Sequence, residues 1–85
     1  MKYTVGWVPI AEQELAAIWP ASADREAVTR AAHQLDQRLR IIPLSVGESR
    51  QSSVRRVAFE LPLAIEFEVI EDDKKVRVLA VARAL

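Results

Sequence analysis

The chain has no cysteine, two glycines, one histidine and no surplus of either charge. Without cysteine it has no disulfide framework, no thiolate metal site and no cysteine nucleophile, which is typical of a reducing compartment. Its twelve basic and twelve acidic side chains cancel, so no global field attracts a polyanion, and contact with nucleic acid needs a local patch. These absences predict a cytoplasmic protein and weigh against an RNA-binding enzyme.

Long hydrophobic runs and export signals are also missing. No run reaches the length of a membrane span, and residues 1–7 lack the apolar core of a signal peptide. Of the 85 residues, 51% are hydrophobic and 28% are charged, as in a globular domain. We therefore expect one domain, residues 1–85, that is neither secreted nor membrane-bound. A core of this size gives marginal stability, which favours a partner that buries further surface.

The motifs of common enzyme classes are absent from the sequence. It has no glycine-rich phosphate loop, nucleophile elbow or dinucleotide fingerprint. Glu71-Asp72-Asp73 is a carboxylate cluster without the spacing of a calcium loop, and a turn is the better interpretation. His33 has no Asp or Cys partner at a motif spacing, so we expect it on the surface. The sequence predicts no metal and no cofactor.

The first half of the chain predicts one strand and two helices. Residues 2–7 alternate apolar and polar side chains, as in a half-buried strand. Pro9 suits the first turn of a helix that ends at Pro20, and its apolar face carries Ala11, Leu15, Ile18 and Trp19. Ser22 or Asp24 caps a second helix that stops at Pro43. Its apolar stripe consists of Val28, Ala31, Ala32, Leu35, Leu39 and Ile42.

The second half predicts a three-stranded antiparallel meander. Apolar runs at 54–59, 64–70 and 76–82 are separated by short polar or proline-containing breaks. Alternation in the first run places Val57 and Phe59 towards the core and Ala58 on the opposite face. In the second run the apolar face consists of Ile65, Phe67 and Val69.

The third run is apolar on both faces except for Arg77, which predicts an interior strand that is covered, at least in part, on each side. The predicted fold is therefore α+β, in the order β-α-α-β-β-β. We expect the two-helix hairpin to pack on one face of the sheet.

A longer pattern extends over nearly the whole chain. It consists of Trp7-x-Pro9-x-Ala11-Glu12-x-Glu14-Leu15, a capped second helix, Pro43…Gly47-Glu48-Ser49-Arg50, and the terminal meander with Phe67-Glu68-Val69. In this the chain resembles the RelE/ParE toxin superfamily. The resemblance implies a bacterial toxin paired with a small antitoxin protein, whose amphipathic segment lies on apolar surface beside the helices or the sheet. Some members are ribosome-dependent mRNA endonucleases, and others poison DNA gyrase without cleaving anything.

The nuclease alternative assigns catalysis to arginines. The resemblance implies that Arg50, Arg56 and Arg83 would supply positive charge for a metal-free cleavage. In nuclease relatives a functional basic residue stands where this chain has Ala84, one position after Arg83. An arginine expected early in the third strand is replaced by Ala64. The chain also ends at Leu85, before the tail that carries the family's catalytic Tyr or His.

The charges of the predicted sheet have a simpler interpretation. Glu66 and Glu68 lie on the face where a phosphate backbone would bind and would repel it. We prefer cross-strand ion pairs, formed by Arg55, Arg56 and Arg77 with Glu60, Glu66 and Glu68.

Three hypotheses follow. The leading one is a toxin that acts by protein contact or has lost nuclease activity. The alternatives are a ribosome-dependent endonuclease, and a non-toxic interaction module, for which a homodimer is left open.

Overall fold

The computed structural model describes residues 2–43, 48–50 and 52–84. Its helices and strands are β1 (Thr4–Trp7), α1 (Pro9–Ala21), α2 (Arg25–Ile41), β2 (Glu48–Arg50), β3 (Ser52–Glu60), β4 (Leu63–Ile70) and β5 (Lys75–Arg83), with a 3-10 turn at Glu71–Asp73. This confirms the predicted α+β order, to which the structure adds the short strand β2. Gly47 and Leu85, which the sequence placed in a loop and at the chain end, lie outside the described residues. No helix within the described ranges is long and apolar enough to cross a membrane.

The described strands form one mixed sheet in the order β1-β5-β4-β3-β2. Strands β3, β4 and β5 are the predicted antiparallel meander. Strand β1 runs parallel to β5, and β2 runs antiparallel to β3. Strand β5 is thus an interior strand, as predicted. Strand β2 has no signal in the sequence, because its three residues are polar and show no apolar alternation.

Local chemistry sets the ends of both helices. Pro9 occupies the first turn of α1, where its missing N–H leaves no hydrogen bond unmade. The helix continues one residue past Pro20, and the Ser22 hydroxyl donates to the Ile18 carbonyl at 2.6 Å beyond its end. Asp24 caps α2, since its carboxylate accepts the Ala27 N–H at 3.0 Å. Of the two caps that the sequence offered for α2, the structure uses Asp24.

The core lies between the two helices and one face of the sheet. Its buried side chains are Ala11, Val28, Ala31, Leu35, Leu39, Ala58, Leu63, Ile65, Phe67, Val69, Val76, Val78 and Val81. The α2 stripe is therefore confirmed except at its end. Ile42 is 50% exposed, because α2 ends at Ile41 and the backbone of Ile42 leaves helical geometry.

The prediction for the faces of β3 was wrong. Ala58 is 2% exposed and belongs to the core, whereas Phe59 is 61% exposed on the side away from the helices. The turn at Leu61 and Pro62 pairs Glu60 with Leu63, and this register puts Ala58 opposite the buried Ile65. Because successive strand residues point to opposite faces, the pairing with β4 decides which side of β3 enters the core.

The prediction that β5 is covered at least in part on each face holds mainly on the helix side. Val76, Val78 and Val81 are buried beneath the helices, but Arg77 and Ala82 on the other face are exposed. Val78 pairs with Phe67 and Ala80 with Glu66, so Leu79 is the extra residue of a bulge. One face of this largely antiparallel sheet is open to solvent. We call it the outer sheet face, the side on which Phe59, Ala64, Glu66, Glu68, Arg77 and Ala82 lie.

Candidate functional site: an apolar groove beside the helix hairpin

An apolar groove of about 690 Å³ opens where α1, α2 and β1 meet. We call it the tryptophan groove, and it is lined by Trp7, Glu12, Leu15, Ala16, Trp19, Val28, Thr29 and Ala32. The only polar groups among these side chains are the Glu12 carboxylate, the Thr29 hydroxyl and the indole N–H groups of the two tryptophans. The sequence places Trp19 on the apolar face of α1, and the structure puts both Trp19 and Trp7 in the lining of the groove.

The composition of α1 explains why the groove is apolar. From Leu15 to Ala21 every residue of this helix is apolar, yet Ala16, Ala17, Trp19, Pro20 and Ala21 are exposed. A helix that is hydrophobic all round is normally buried on all sides. In contrast, α2 has a buried stripe and a polar outer face. The solvent-exposed side of α1 therefore has the apolar composition that is typical of a protein–protein interface.

Trp19 is held in place although it is 45% exposed. Its indole N–H donates to the Thr29 hydroxyl at 3.0 Å, and that hydroxyl donates to the Arg25 carbonyl at 3.1 Å. The Arg25 guanidinium lies 5.2 Å from the ring centroid and also donates to the Pro20 carbonyl at 3.2 Å. A ring fixed before binding loses little conformational entropy when a partner covers it.

Glu12 is the one charged side chain that lines the groove. It is exposed, and among the described residues its carboxylate makes no ion pair and no side-chain hydrogen bond. A carboxylate at the rim of an apolar groove favours a partner that presents Lys or Arg at that point. The sequence analysis had not singled out Glu12 as a binding residue.

Glu14, two residues further on, has a structural role. Its carboxylate accepts the backbone N–H of Val81 at 3.0 Å in a partly buried contact. This N–H lies just past the Leu79 bulge, where the ladder with β4 is irregular. The hydrogen bond ties α1 to β5 and fixes the helix that forms one wall of the groove.

Replacing Glu14 by alanine should lower the free energy of unfolding by about 1–3 kcal/mol, because it removes a charged acceptor and leaves the Val81 N–H unpaired. Chemical denaturation followed by circular dichroism measures the loss. Glu12→Ala is the matched control, since the same deletion on the same helix removes no hydrogen bond there. Equal stabilities for the two variants would show that the Glu14 contact contributes nothing.

The three arginines predicted for catalysis lie in different places. The backbone of Arg50 is in β2, and its side chain lies outside the part of the chain that the structure describes. Arg56 lies in the middle of β3, paired with Phe67. Arg83 is exposed at the end of β5, where it lines a depression of about 390 Å³ with Asp24, Leu61 and Pro62 among others.

Arg56 and Arg83 lie on the two strands that flank β4. Two strand spacings of ~4.8 Å and four residue rises of ~3.3 Å place their Cα atoms roughly 16 Å apart. Stabilising one developing charge requires donors within about 3 Å of it. Both side chains would therefore have to extend towards each other to contact one phosphate.

The outer sheet face carries the predicted cross-strand ion pairs. Arg55 lies 3.0 Å from Glu66, and Arg77 lies 3.1 Å from Glu68. Glu60 differs from the prediction, because it pairs at 2.7 Å with Arg38 of α2. Pairs this exposed stabilise by about 0–1 kcal/mol. Their main effect is to neutralise the charges of the face.

The acidic turn after β4 is tied to the first strand. The Tyr3 hydroxyl donates to the Glu71 carboxylate, and its oxygen lies 2.9 Å from Oε1 and 2.8 Å from Oε2. The Lys74 ammonium also forms an ion pair with Glu71. Hydrogen bonds from Lys74 and then from Tyr3 lower the pKa of Glu71, and the hydrogen bond with Glu71 raises the pKa of Tyr3.

Across the described ranges, no group of three or more His, Cys, Asp and Glu side chains is arranged to hold a metal ion. His33 is exposed on α2, as predicted.

Comparison with known proteins identifies the fold. No family model and no curated protein matches the sequence. A chain of the RelBE2 toxin–antitoxin complex from Mycobacterium tuberculosis superposes with a TM-score of 0.77 at 17% identity, over 100% of this chain and 95% of that chain. A chain of the chromosomal ParDE system from P. aeruginosa gives 0.72 at 18% identity, over 99% of this chain and 98% of that one.

Toxin RelE of E. coli, solved in the free state as an arginine-to-alanine double mutant, gives a TM-score of 0.64 at 19% identity, over 99% of this chain and 85% of RelE. At these identities it is the fold that is shared. The chain has the fold of the RelE/ParE toxins, which confirms the resemblance found in the sequence.

Proposed function

We propose that this chain is the toxin of a bacterial toxin–antitoxin module and that a small antitoxin protein neutralises it. The observation that carries the proposal is the match to toxin structures over essentially the whole chain, with a TM-score of 0.77 in the RelBE2 case. The uncovered apolar side of α1 supports it independently, because a fold with an unfilled interface requires a partner.

The antitoxin contributes an amphipathic helix to the tryptophan groove. Such a helix inserts a row of apolar side chains at positions i, i+3, i+4 and i+7 into a hydrophobic groove. Here Trp19 and Leu15 supply the apolar wall, and Glu12 pairs with a Lys or Arg at the edge of the inserted helix. The charge at Glu12 selects among helices of similar hydrophobicity.

The toxin acts by contact with a protein target such as DNA gyrase and does not cleave mRNA on the ribosome. Metal-free cleavage needs a base, an acid and cations that converge on one phosphate. Glu66 and Glu68 neutralise Arg55 and Arg77, the arginines of the outer sheet face. Ala64 stands where the resemblance expects a further arginine. DNA gyrase and the ribosome both lie in the cytoplasm, so a toxin with either target acts there.

Induced expression in a bacterial culture tests the toxin assignment. We expect growth to stop after induction, and to continue when its antitoxin is expressed together with this chain. A variant with several core residues replaced by polar ones controls for the burden of expression. Unimpaired growth with soluble protein would contradict the proposal and favour a non-toxic interaction module on the same fold.

A further inference from the structure

The tryptophan groove follows α1 from the first turn of this helix to its last. Four of the lining residues belong to α1, namely Glu12, Leu15, Ala16 and Trp19. They lie three, four and seven positions after Glu12, so they share one side of the helix. A rise of ~1.5 Å per residue separates Glu12 from Trp19 by roughly 10 Å along the axis. The groove therefore has the length of about two turns of a partner helix.

Each end of the groove carries one charge without an oppositely charged partner among the described residues. At one end the exposed Glu12 carboxylate makes no ion pair. At the other end Arg25 lies over the Trp19 ring and donates to the Pro20 carbonyl, but it pairs with no carboxylate. The groove is thus negative at the start of α1 and positive at its end.

The other charged groups near Arg25 leave this difference in place. Glu26 and Arg30 extend the surface beyond Trp19, but they lie 3.8 Å apart and offset each other. The Asp24 carboxylate accepts the Ala27 N–H and lines the separate depression beside Leu61.

The dipoles of the two helices also leave the difference in place. A helix end carries about half a charge, positive at the N-terminus and negative at the C-terminus. The N-terminus of α1 therefore offsets only about half of the Glu12 charge. The C-terminus of α1 and the N-terminus of α2 are joined by residues 22–24 and offset each other, so the Arg25 charge remains.

A partner helix has a dipole of its own, so these two charges favour one direction of binding. We infer that the antitoxin helix lies parallel to α1, with its N-terminal end and a Lys or Arg beside Glu12, and its C-terminal end and an Asp or Glu beside Arg25. The two charged residues of the partner are about seven positions apart, because the groove is about two turns long. The inference rests on the proposed function, since it gives the direction and charge pattern of the antitoxin helix.

Nuclear magnetic resonance of the purified full chain with a designed peptide tests the direction. The peptide is a stapled helix with a leucine stripe between a Lys and, seven positions later, a Glu. The chain has two tryptophans, and Trp7 precedes α1 at the Glu12 end while Trp19 lies at the Arg25 end. A nitroxide on the N-terminus of the peptide should broaden the indole N–H signal of Trp7 more than that of Trp19. A nitroxide on its C-terminus should do the opposite.

A charge exchange tests the contacts at the two ends. Glu12→Lys combined with Arg25→Glu should raise the dissociation constant of the peptide about tenfold, because two attractive pairs become repulsive. The peptide with Lys and Glu exchanged should recover most of this loss. Lys75→Glu is the control, since it changes the charge at an exposed position of β5 on the outer sheet face. It should leave the dissociation constant within about twofold.

Three results would overturn the inference: broadening that indicates the opposite direction, equal affinity of the charge-exchanged variant for the first peptide, or no saturable shift of either indole signal at about 1 mM peptide. These results are separate from the test of the proposed function, which measures growth arrest without any peptide. Circular dichroism checks that each variant is folded.

Discussion

Replacing Phe67 by alanine should lower the free energy of unfolding by about 3–5 kcal/mol. Phe67 is 0% exposed, and it lies in the middle of β4 between the two neighbouring strands of the meander. The substitution removes a ring from a packed core and leaves a cavity that its neighbours only partly fill. A chain of 85 residues typically has roughly 4–13 kcal/mol of stability in total, so this substitution should remove from about a quarter to all of it.

Phe59→Ala is the matched control for this prediction. The same side chain is deleted from the adjacent strand, but its ring is 61% exposed, so we expect a loss below about 1 kcal/mol. Urea denaturation followed by circular dichroism measures both losses. Similar losses in the two variants would contradict the register of β3 with β4.

These two phenylalanines also show what a sequence can predict about a strand. In β4, Glu66 and Glu68 alternate with Ile65, Phe67 and Val69, so the polar residues mark the outer face and the prediction was confirmed. In β3, apolar residues occur on both faces, and Val57 and Phe59 outweigh Ala58 in size. Only the pairing with β4 decides which side is buried, and that pairing is a tertiary property.

The order of the elements was predictable because local signals mark it. Pro9 begins α1, Asp24 caps α2 and Pro43 follows the end of α2. Strand β2 was not predictable, because its three polar residues form a strand only by pairing with β3.

The candidate site was only partly predictable. The tryptophan groove combines residues from β1, α1 and α2, which sequence spacing alone does not bring together. One signal was present, since residues 15–21 of α1 are apolar without a polar face. The separation of Arg56 from Arg83 depends on strand order and register, which the sequence does not encode in any short motif.

Trp19→Ala should weaken the binding of the antitoxin by about 30- to 300-fold, which corresponds to about 2–3.5 kcal/mol. The ring lines the groove and is positioned by Thr29 and Arg25 before binding. Its removal deletes apolar contact area and the preorganisation together. Isothermal titration calorimetry with the purified antitoxin measures the change.

Two further variants separate these contributions. Thr29→Val keeps the shape of the side chain but removes the hydrogen bond that orients Trp19, so we expect a smaller loss of about 1 kcal/mol, or roughly fivefold. Ile10→Ala removes an apolar side chain that is more exposed than Trp19 but lies outside the groove lining, and it should leave the affinity within about twofold. Losses of the same size for Trp19→Ala and Ile10→Ala would show that the antitoxin binds elsewhere.

We propose that this chain is a toxin that acts by protein contact, and the mapping of transcript ends during growth arrest tests that mechanism. Cultures that express the unmodified chain or Arg83→Ala would be sampled at the onset of arrest, and RNA ends would be located against the reading frames. We predict that both cultures arrest and that neither gains new ends inside translated codons. New ends at codon positions in the first culture, and their disappearance with Arg83→Ala, would contradict the account and establish cleavage of mRNA.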